Sequence, residues 1–488
     1  MSAEARLLPW LEAMSDRLSP LVVKEARQLV RGREFLLSFG SSLLVGLTVA
    51  AFGAASALSG SSTSGRWTFA LLMGGLALLG LAVVPLGAFS TLRQERLEQT
   101  LDLITLTSLT PRRIVIGKLL AQAVKLMILF AAIAPFIMMS FLLGGIDLAT
   151  ILVSLVVLFM ASVWVSAFFL LVSATSQSRA VSAMVFGAVA IVALFGIPFV
   201  RSLLIAMSRG LVPGAALIPV GVPWRMVAIM FTFWLASLVN LVLLAENRLS
   251  SPTGDAVTPL RQGLLAQFLL IVGWALTYIG DSSAIRLSTG RALMSAGTVH
   301  LAVVAYFAVT EDFAVARRIW RRMNVATRWR WLLATFGPGG GRAAAYVLVQ
   351  MCALGAALAL LEPPAEHLRW VAAACGYICF FTGVPILLFR KLAPAHDTQI
   401  RRRVAVLLTV AAALVLPDII DYALWQDNVL NVAFSLRHLI NPFRALANWS
   451  VIEMNGWLVV PAFIGLIGVL SWMKLIQEGT RGDGDLTD

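Results

Sequence analysis

Long apolar stretches follow one another closely along the chain, and no other feature limits its fold as tightly. A helix that crosses a bilayer needs about 20 mostly apolar residues. By that measure there are twelve candidates. The first six lie near 35–58, 67–91, 119–143, 148–174, 180–200 and 224–245. The others lie near 264–280, 292–309, 343–361, 370–389, 404–424 and 457–476. The span near 404–424 is expected to break at Pro417-Asp418. Only 13% of residues are charged, against about 25% in an ordinary soluble domain. Too little polar material remains to cover a soluble surface, so a cytosolic enzyme, a disordered chain and a secreted disulfide scaffold are excluded. Cys352, Cys375 and Cys379 all fall inside apolar stretches and form neither a disulfide framework nor a metal knuckle. The first 34 residues carry charge throughout and no apolar leader core, so no cleaved signal peptide is expected.

The net charge of +13 would suggest nucleic acid in a soluble protein. In a membrane protein the question is where the positive charges sit. With the N-terminus inside, the cytoplasmic segments hold 28 Lys and Arg, the outer segments hold 9, and Lys125 lies within the third span. The excess is a topology signal. It gives both termini to the cytoplasm and leaves no nucleic-acid footprint.

Three polar pieces connect the spans. Residues 18–34 read as an amphipathic helix along the membrane surface, in contact with lipid. Leu18, Leu21, Val22, Ala26, Leu29 and Val30 share one side, and Lys24, Arg27, Arg31 and Glu34 the other. Glu25 and Arg33 break the pattern. The loop 92–118 places Glu95, Glu98 and Asp102 in an acidic stripe beside an apolar stripe of Leu97, Leu101 and Ile104. Anionic lipid repels acid on the cytoplasmic side, so this stripe suits a basic protein partner. Pro111 is placed to open the next helix, with Arg112, Arg113 and Lys118 marking the return to the membrane. The third piece, 310–342, carries seven arginines and the run Phe336-Gly337-Pro338-Gly339-Gly340-Gly341-Arg342. It lacks the lysine and hydroxyl residue of a phosphate loop and reads as a flexible lead-in to a helix. On the outer side, 201–223 is too apolar for a free loop and too broken for a span, which suits a re-entrant hairpin buried against protein.

The first half resembles the ABC-2 family of exporter permeases. Members begin with a segment like N-P-V-L-x-K-E-x-R-Q-x-x-R, and here Ser19-Pro20-Leu21-Val22-Val23-Lys24-Glu25-Ala26-Arg27-Gln28-Leu29-Val30-Arg31 follows it. Between the second and third spans they carry E-R-E-x-G-T-L-E, matched by Glu95-Arg96-Leu97-Glu98-Gln99-Thr100-Leu101-Asp102, with Gln99 where glycine is usual and Asp102 where glutamate is. A T-P-L-S-x-R-x-I-x-x-G-K turn follows, matched by Thr107 to Lys118 with its proline two positions later, at Pro111. The resemblance covers about residues 19–245.

It implies an all-α membrane protein with an N-terminal six-helix permease module. In that reading Lys24, Glu25, Arg27, Gln28 and Arg31 belong to an interface helix. Glu95, Arg96, Leu97, Glu98, Thr100, Leu101, Asp102, Thr110, Pro111 and Arg112 form the coupling region that docks a separate ATP-binding subunit. ATP and magnesium belong to that partner, and this chain carries no cofactor, metal or catalytic residue. The layout is then 1–34 as cytoplasmic N-terminus, 35–245 as permease module, 246–476 as a second six-helix bundle and 477–488 as a disordered tail. The second half is either a diverged permease module or an accessory bundle on a permease that dimerises through its first half. Its arginine-rich loop favours the accessory bundle.

Ionisable residues at membrane depth are candidates for function. Lys125 is placed to snorkel inward, and His300 reads as a packing residue. Asp418 and Asp421 share a face near the outer end of the eleventh span, suited to a wet vestibule or a cationic substrate. The expected function is the conduit subunit of an ATP-driven exporter in a bacterial inner membrane. The alternative is a self-contained secondary transporter with twelve helices, which calls for paired broken helices and midplane carboxylates. A membrane enzyme lacks any catalytic constellation.

Overall fold

The computed structural model describes residues 20–60, 64–97, 110–144, 146, 148–175, 224–250, 255–311, 335–361, 364–394, 397–425 and 436–484. These residues contain helices and no strand. Ten of the helices are long and apolar enough to cross a membrane. Helices suit this composition because only an element that satisfies its own backbone hydrogen bonds can stand in lipid. The expected spans 180–200 and the outer hairpin 201–223 lie outside the described residues. The chain divides into two compact units, Met1–Ser250 and Ser251–Asp488.

The first unit opens with α1 (Pro20–Arg31) and continues with α2 (Arg33–Leu58), α3 (Ser64–Leu78), a π-helical turn at Leu79–Val83, α4 (Val84–Leu97), α5 (Pro111–Leu142), α6 (Leu148–Thr175) and α7 (Trp224–Leu249). The segments α3 and α4 form one membrane crossing, Ser64–Glu95. The π turn sits just before Pro85, whose ring removes a backbone donor, and a π bulge is one way to absorb that loss. At the same turn Gly80 lies against the Ser162 side chain, where a Cβ would collide. A buried layer of Val84, Leu92, Val115, Leu126, Leu170 and Val242 binds α4, α5, α6 and α7 together.

The second unit contains α8 (Val257–Leu276), α9 (Ser283–Val309), α10 (Gly340–Leu360), α11 (Ala365–Leu392), α12 (Gln399–Trp425), a 3-10 turn (Leu436–Ile440), the short α13 (Pro442–Ala447) and α14 (Trp449–Met454), and α15 (Val459–Gly484). Two expectations are revised here. The backbone of α12 passes through Pro417 without a break, since a proline removes only one internal hydrogen bond from a helix. The expected disordered tail is helical as far as Gly484, because α15 continues past the membrane and Glu478 is tied to Arg390 at 2.5 Å.

Helices α11 and α15 run parallel and meet through glycines. A Cβ on Gly376 would stand 2.7 Å from the Gly465 Cα, and one on Gly468 would stand 2.9 Å from the Gly376 carbonyl. Lipid gives no hydrophobic drive for helix pairing, so close backbone contact of this kind supplies the attraction. The short elements at 436–454 are pinned to α11: Tyr377 donates to the Leu439 carbonyl at 2.5 Å and Trp370 to the Leu446 carbonyl at 2.9 Å. Asn441 caps α13 by accepting from the backbone of Phe443 and Arg444, with Pro442 at the first helical position.

The helix pairings of the two units correspond. In the first unit α2 packs on α3 and on α5, α3 on α5, α4 on α6, α5 on α6 and on α7, and α6 on α7. In the second unit α8 packs on α9 and on α10, α9 on α10 and on α11, α10 on α11 and on α15, and α11 on α15. With the described crossings taken in chain order and α12 left aside, every pairing of the first unit recurs in the second. The third crossing of each also carries a glutamine buried to 1% exposure, Gln122 in α5 and Gln350 in α10.

Candidate functional site

Two of the motifs that carry the family resemblance come together with the third at one lysine. Lys118 lies two turns into α5 and is 2% exposed. Its ammonium bonds Glu95 Oε1 at the end of α4 at 2.7 Å, and Glu25 Oε1 of α1 at 3.1 Å. One cation therefore ties α1, the end of the second crossing and the start of the third. Glu25 is the residue that breaks the amphipathic pattern of α1. It sits on the buried side because α1 packs on α5, with Val30 joining the apolar layer of the unit. Lys24, Arg27, Gln28 and Arg31 stay at the surface or near it.

The structure revises the open acidic stripe at Glu95, whose carboxylate is turned inward to Lys118. The helix that carries it ends at Leu97, and the side chains of Arg96 and Leu97 are not among those described. Glu98, Thr100, Leu101 and Asp102 lie outside the described residues. Thr110 occupies the N-cap of α5, its carbonyl accepting from the Arg113 backbone at 2.9 Å, and Pro111 opens the helix. Arg112 is exposed and stands 4.0 Å from Glu246 of α7, a surface pair of little energetic weight.

Lys125, one further face down α5, is 4% exposed. It is buried beside Gly87 of α4, whose missing side chain leaves the room, and it does not snorkel to water as expected. Sequence reasoning passed over Lys118 because a lysine at a membrane boundary ordinarily marks topology. The available signal was paired: a carboxylate on the apolar face of α1 and a lysine beyond the boundary arginines both needed a partner.

The glycine run of the second unit has a different role from the flexible lead-in expected of it. Arg261 of α8 is 1% exposed and donates to the carbonyls of Thr335 at 2.8 Å, Gly337, and Gly339 at 3.2 Å. It also pairs with Glu311, just beyond α9, at 2.6 Å. Gly339 adopts φ +122°, open to glycine at little cost, as the N-cap of α10. Carbonyl oxygens face the center of this loop, so it suits a guanidinium and repels a phosphate. A buried cation thus bridges the end of the second crossing and the start of the third here too, but Arg261 reaches them from the first crossing, whereas Lys118 sits on the third and takes in α1.

Among the described residues no group of His, Cys, Asp and Glu could hold a metal. His300 packs its ring on Phe268, centroids 5.9 Å apart. Asp418 and Asp421 lie on α12, and their side chains are outside the described set. What the joint at Lys118 can do is mechanical: it holds three elements in one rigid corner. Comparison of the chain with protein-family models, with curated proteins and with solved structures finds no match.

Proposed function

We propose that this multi-pass membrane protein is the transmembrane component of an ATP-driven exporter, worked by a separate ATP-binding subunit at the inner face of a bacterial cytoplasmic membrane. The observation that carries the reading is the Lys118 joint, since the residues that match the permease motifs, Glu25, Glu95 and Lys118, are the ones in contact. In this reading Glu95 does not touch the partner. It anchors the base of the coupling loop, and the following residues Glu98, Leu101 and Asp102 meet the ATP-binding subunit. A push on that loop then moves α1, α4 and α5 together as one body.

The matching helix pairings favour a second permease module over an accessory bundle, which reverses the preference drawn from the arginine-rich loop. One chain then supplies two modules and engages two ATP-binding subunits. The test is affinity purification of the full chain from its native host, with the mass of the complex measured. One copy of the chain with two ATP-binding subunits is the expected result, and Glu98→Lys with Asp102→Lys should reduce their recovery. Recovery of the folded chain with no ATP-binding subunit would overturn the exporter reading. Two copies of the chain per complex would overturn only the tandem arrangement.

A further inference from the structure

Beyond their glycine seam, at the ends assigned to the cytoplasm, α11 and α15 flank a cleft of about 930 Å³. Its walls are apolar: Val384, Leu387 and Leu388 on α11, Ile467 and Leu470 on α15. Leu388 and Leu470 are more than half exposed, at 52% and 55%, so the cleft opens sideways where lipid chains lie. Its mouth is polar and mostly cationic, with Arg390, Lys391, Lys474, Asp397 and Glu478. The acids there are already engaged. Arg390 bonds Glu478 at 2.5 Å and Asp397 at 3.4 Å, and Arg402 bonds Asp397 at 2.7 Å. Lys391 and Lys474 are exposed and have no protein partner among the described residues.

An apolar groove as deep as the acyl region, closed at the headgroup level by two unengaged lysines, matches one chemical class. We propose that this cleft binds an anionic phospholipid of the inner leaflet, one acyl chain along Leu388 and Leu470 and the phosphate at Lys391 and Lys474. Basic pockets between membrane helices on this side recognise anionic headgroups. A free phosphate would satisfy the lysines and leave the apolar wall unfilled. A zwitterionic lipid would fill the wall and gain little from the lysines. The site lies within the second unit and does not depend on the exporter reading.

The full-length protein, purified in detergent, is titrated with phosphatidylglycerol, phosphatidylcholine or inorganic phosphate while its thermal unfolding is followed. Phosphatidylglycerol should raise the midpoint, and the other two should leave it unchanged. Lys391→Gln with Lys474→Gln should weaken the phosphatidylglycerol response roughly tenfold in concentration. Leu470→Trp, which fills the groove and keeps both lysines, should weaken it as well. An equal response to phosphatidylcholine would mean nonspecific lipid filling, and an equal response to phosphate would mean an anion site without a lipid; either overturns the proposal. An unchanged phosphatidylglycerol response in the lysine variant or in Leu470→Trp overturns it too.

Discussion

Lys118 shows how a buried charge gains its value from its partners. An ammonium at 2% exposure is held by two carboxylates from different helices, and removing one member of such a set costs more than the set contributes. Lys118→Met leaves Glu25 and Glu95 facing each other and should destabilise the folded protein by about 3–5 kcal/mol, read from thermal unfolding in detergent. Adding Glu25→Gln and Glu95→Gln to that variant should recover a large part of the loss. If the triple variant is as unstable as the single one, the two carboxylates are not what Lys118 serves. Half of this joint was legible in the sequence, as the motif residues themselves and as the misfit of Glu25 on an apolar face. The other half was not, because an acidic residue near a membrane surface looks alike whether it turns outward to a partner or inward to a lysine on a distant helix. Arg261 was hidden for the same reason: nothing local tells that an arginine at the start of α8 is wrapped by a glycine run some 75 residues later.

At the scale of the helices, periodicity located the crossings well and their interruptions poorly. α2, α6 and α7 fall within a few residues of where apolar length puts them and α5 opens at Pro111, well before its apolar stretch begins, while Pro417 does not stop α12 and polar composition does not stop α15. Both misreadings come from judging a helix by its own sequence when its neighbours hold it. The seam between α11 and α15 makes the same point. Gly468→Leu would drive a side chain into the backbone of Phe380 and Cys379. It should lower stability by about 1–3 kcal/mol or more, the range for overpacking. Gly273→Ala on α8 meets open space and should be neutral or slightly stabilising, as alanine is in a helix. Equal effects of the two, measured by unfolding in detergent, would mean that the seam is not a tight contact. Arg261→Met should be more damaging than either, by about 3–5 kcal/mol, since it strands Glu311 and three carbonyls.

For the whole molecule, the distribution of Lys and Arg predicts that corresponding ends of both units face the same side of the membrane. This is open to direct measurement after the native cysteines Cys352, Cys375 and Cys379 are replaced by alanine. Ser59→Cys and Ser282→Cys, at exposed outer turns, should react with a membrane-impermeant maleimide applied to intact cells. Arg113→Cys and Thr398→Cys, exposed at the opposite ends, should react only after the cells are opened. Labelling of Ser282→Cys only in opened cells would invert the second unit and break its correspondence with the first. The sequence left that correspondence as one of two readings, because membrane helices can share a packing plan while sharing few residues. What survives is position: a buried glutamine in each third crossing and a buried cation where the second crossing of each unit meets the third.

The π turn at Leu79–Val83 also sets which neighbours the second crossing meets. It divides that crossing into α4, riveted at Glu95 to Lys118, and α3, seated against α5. A π turn holds one residue more than the α-helical turns around it, so side chains beyond Val83 are rotated about the axis from where an unbroken α-helix would put them. The seam of α3 stays on α5 while that of α4 comes round mainly to α6, and one continuous helix serves two partners.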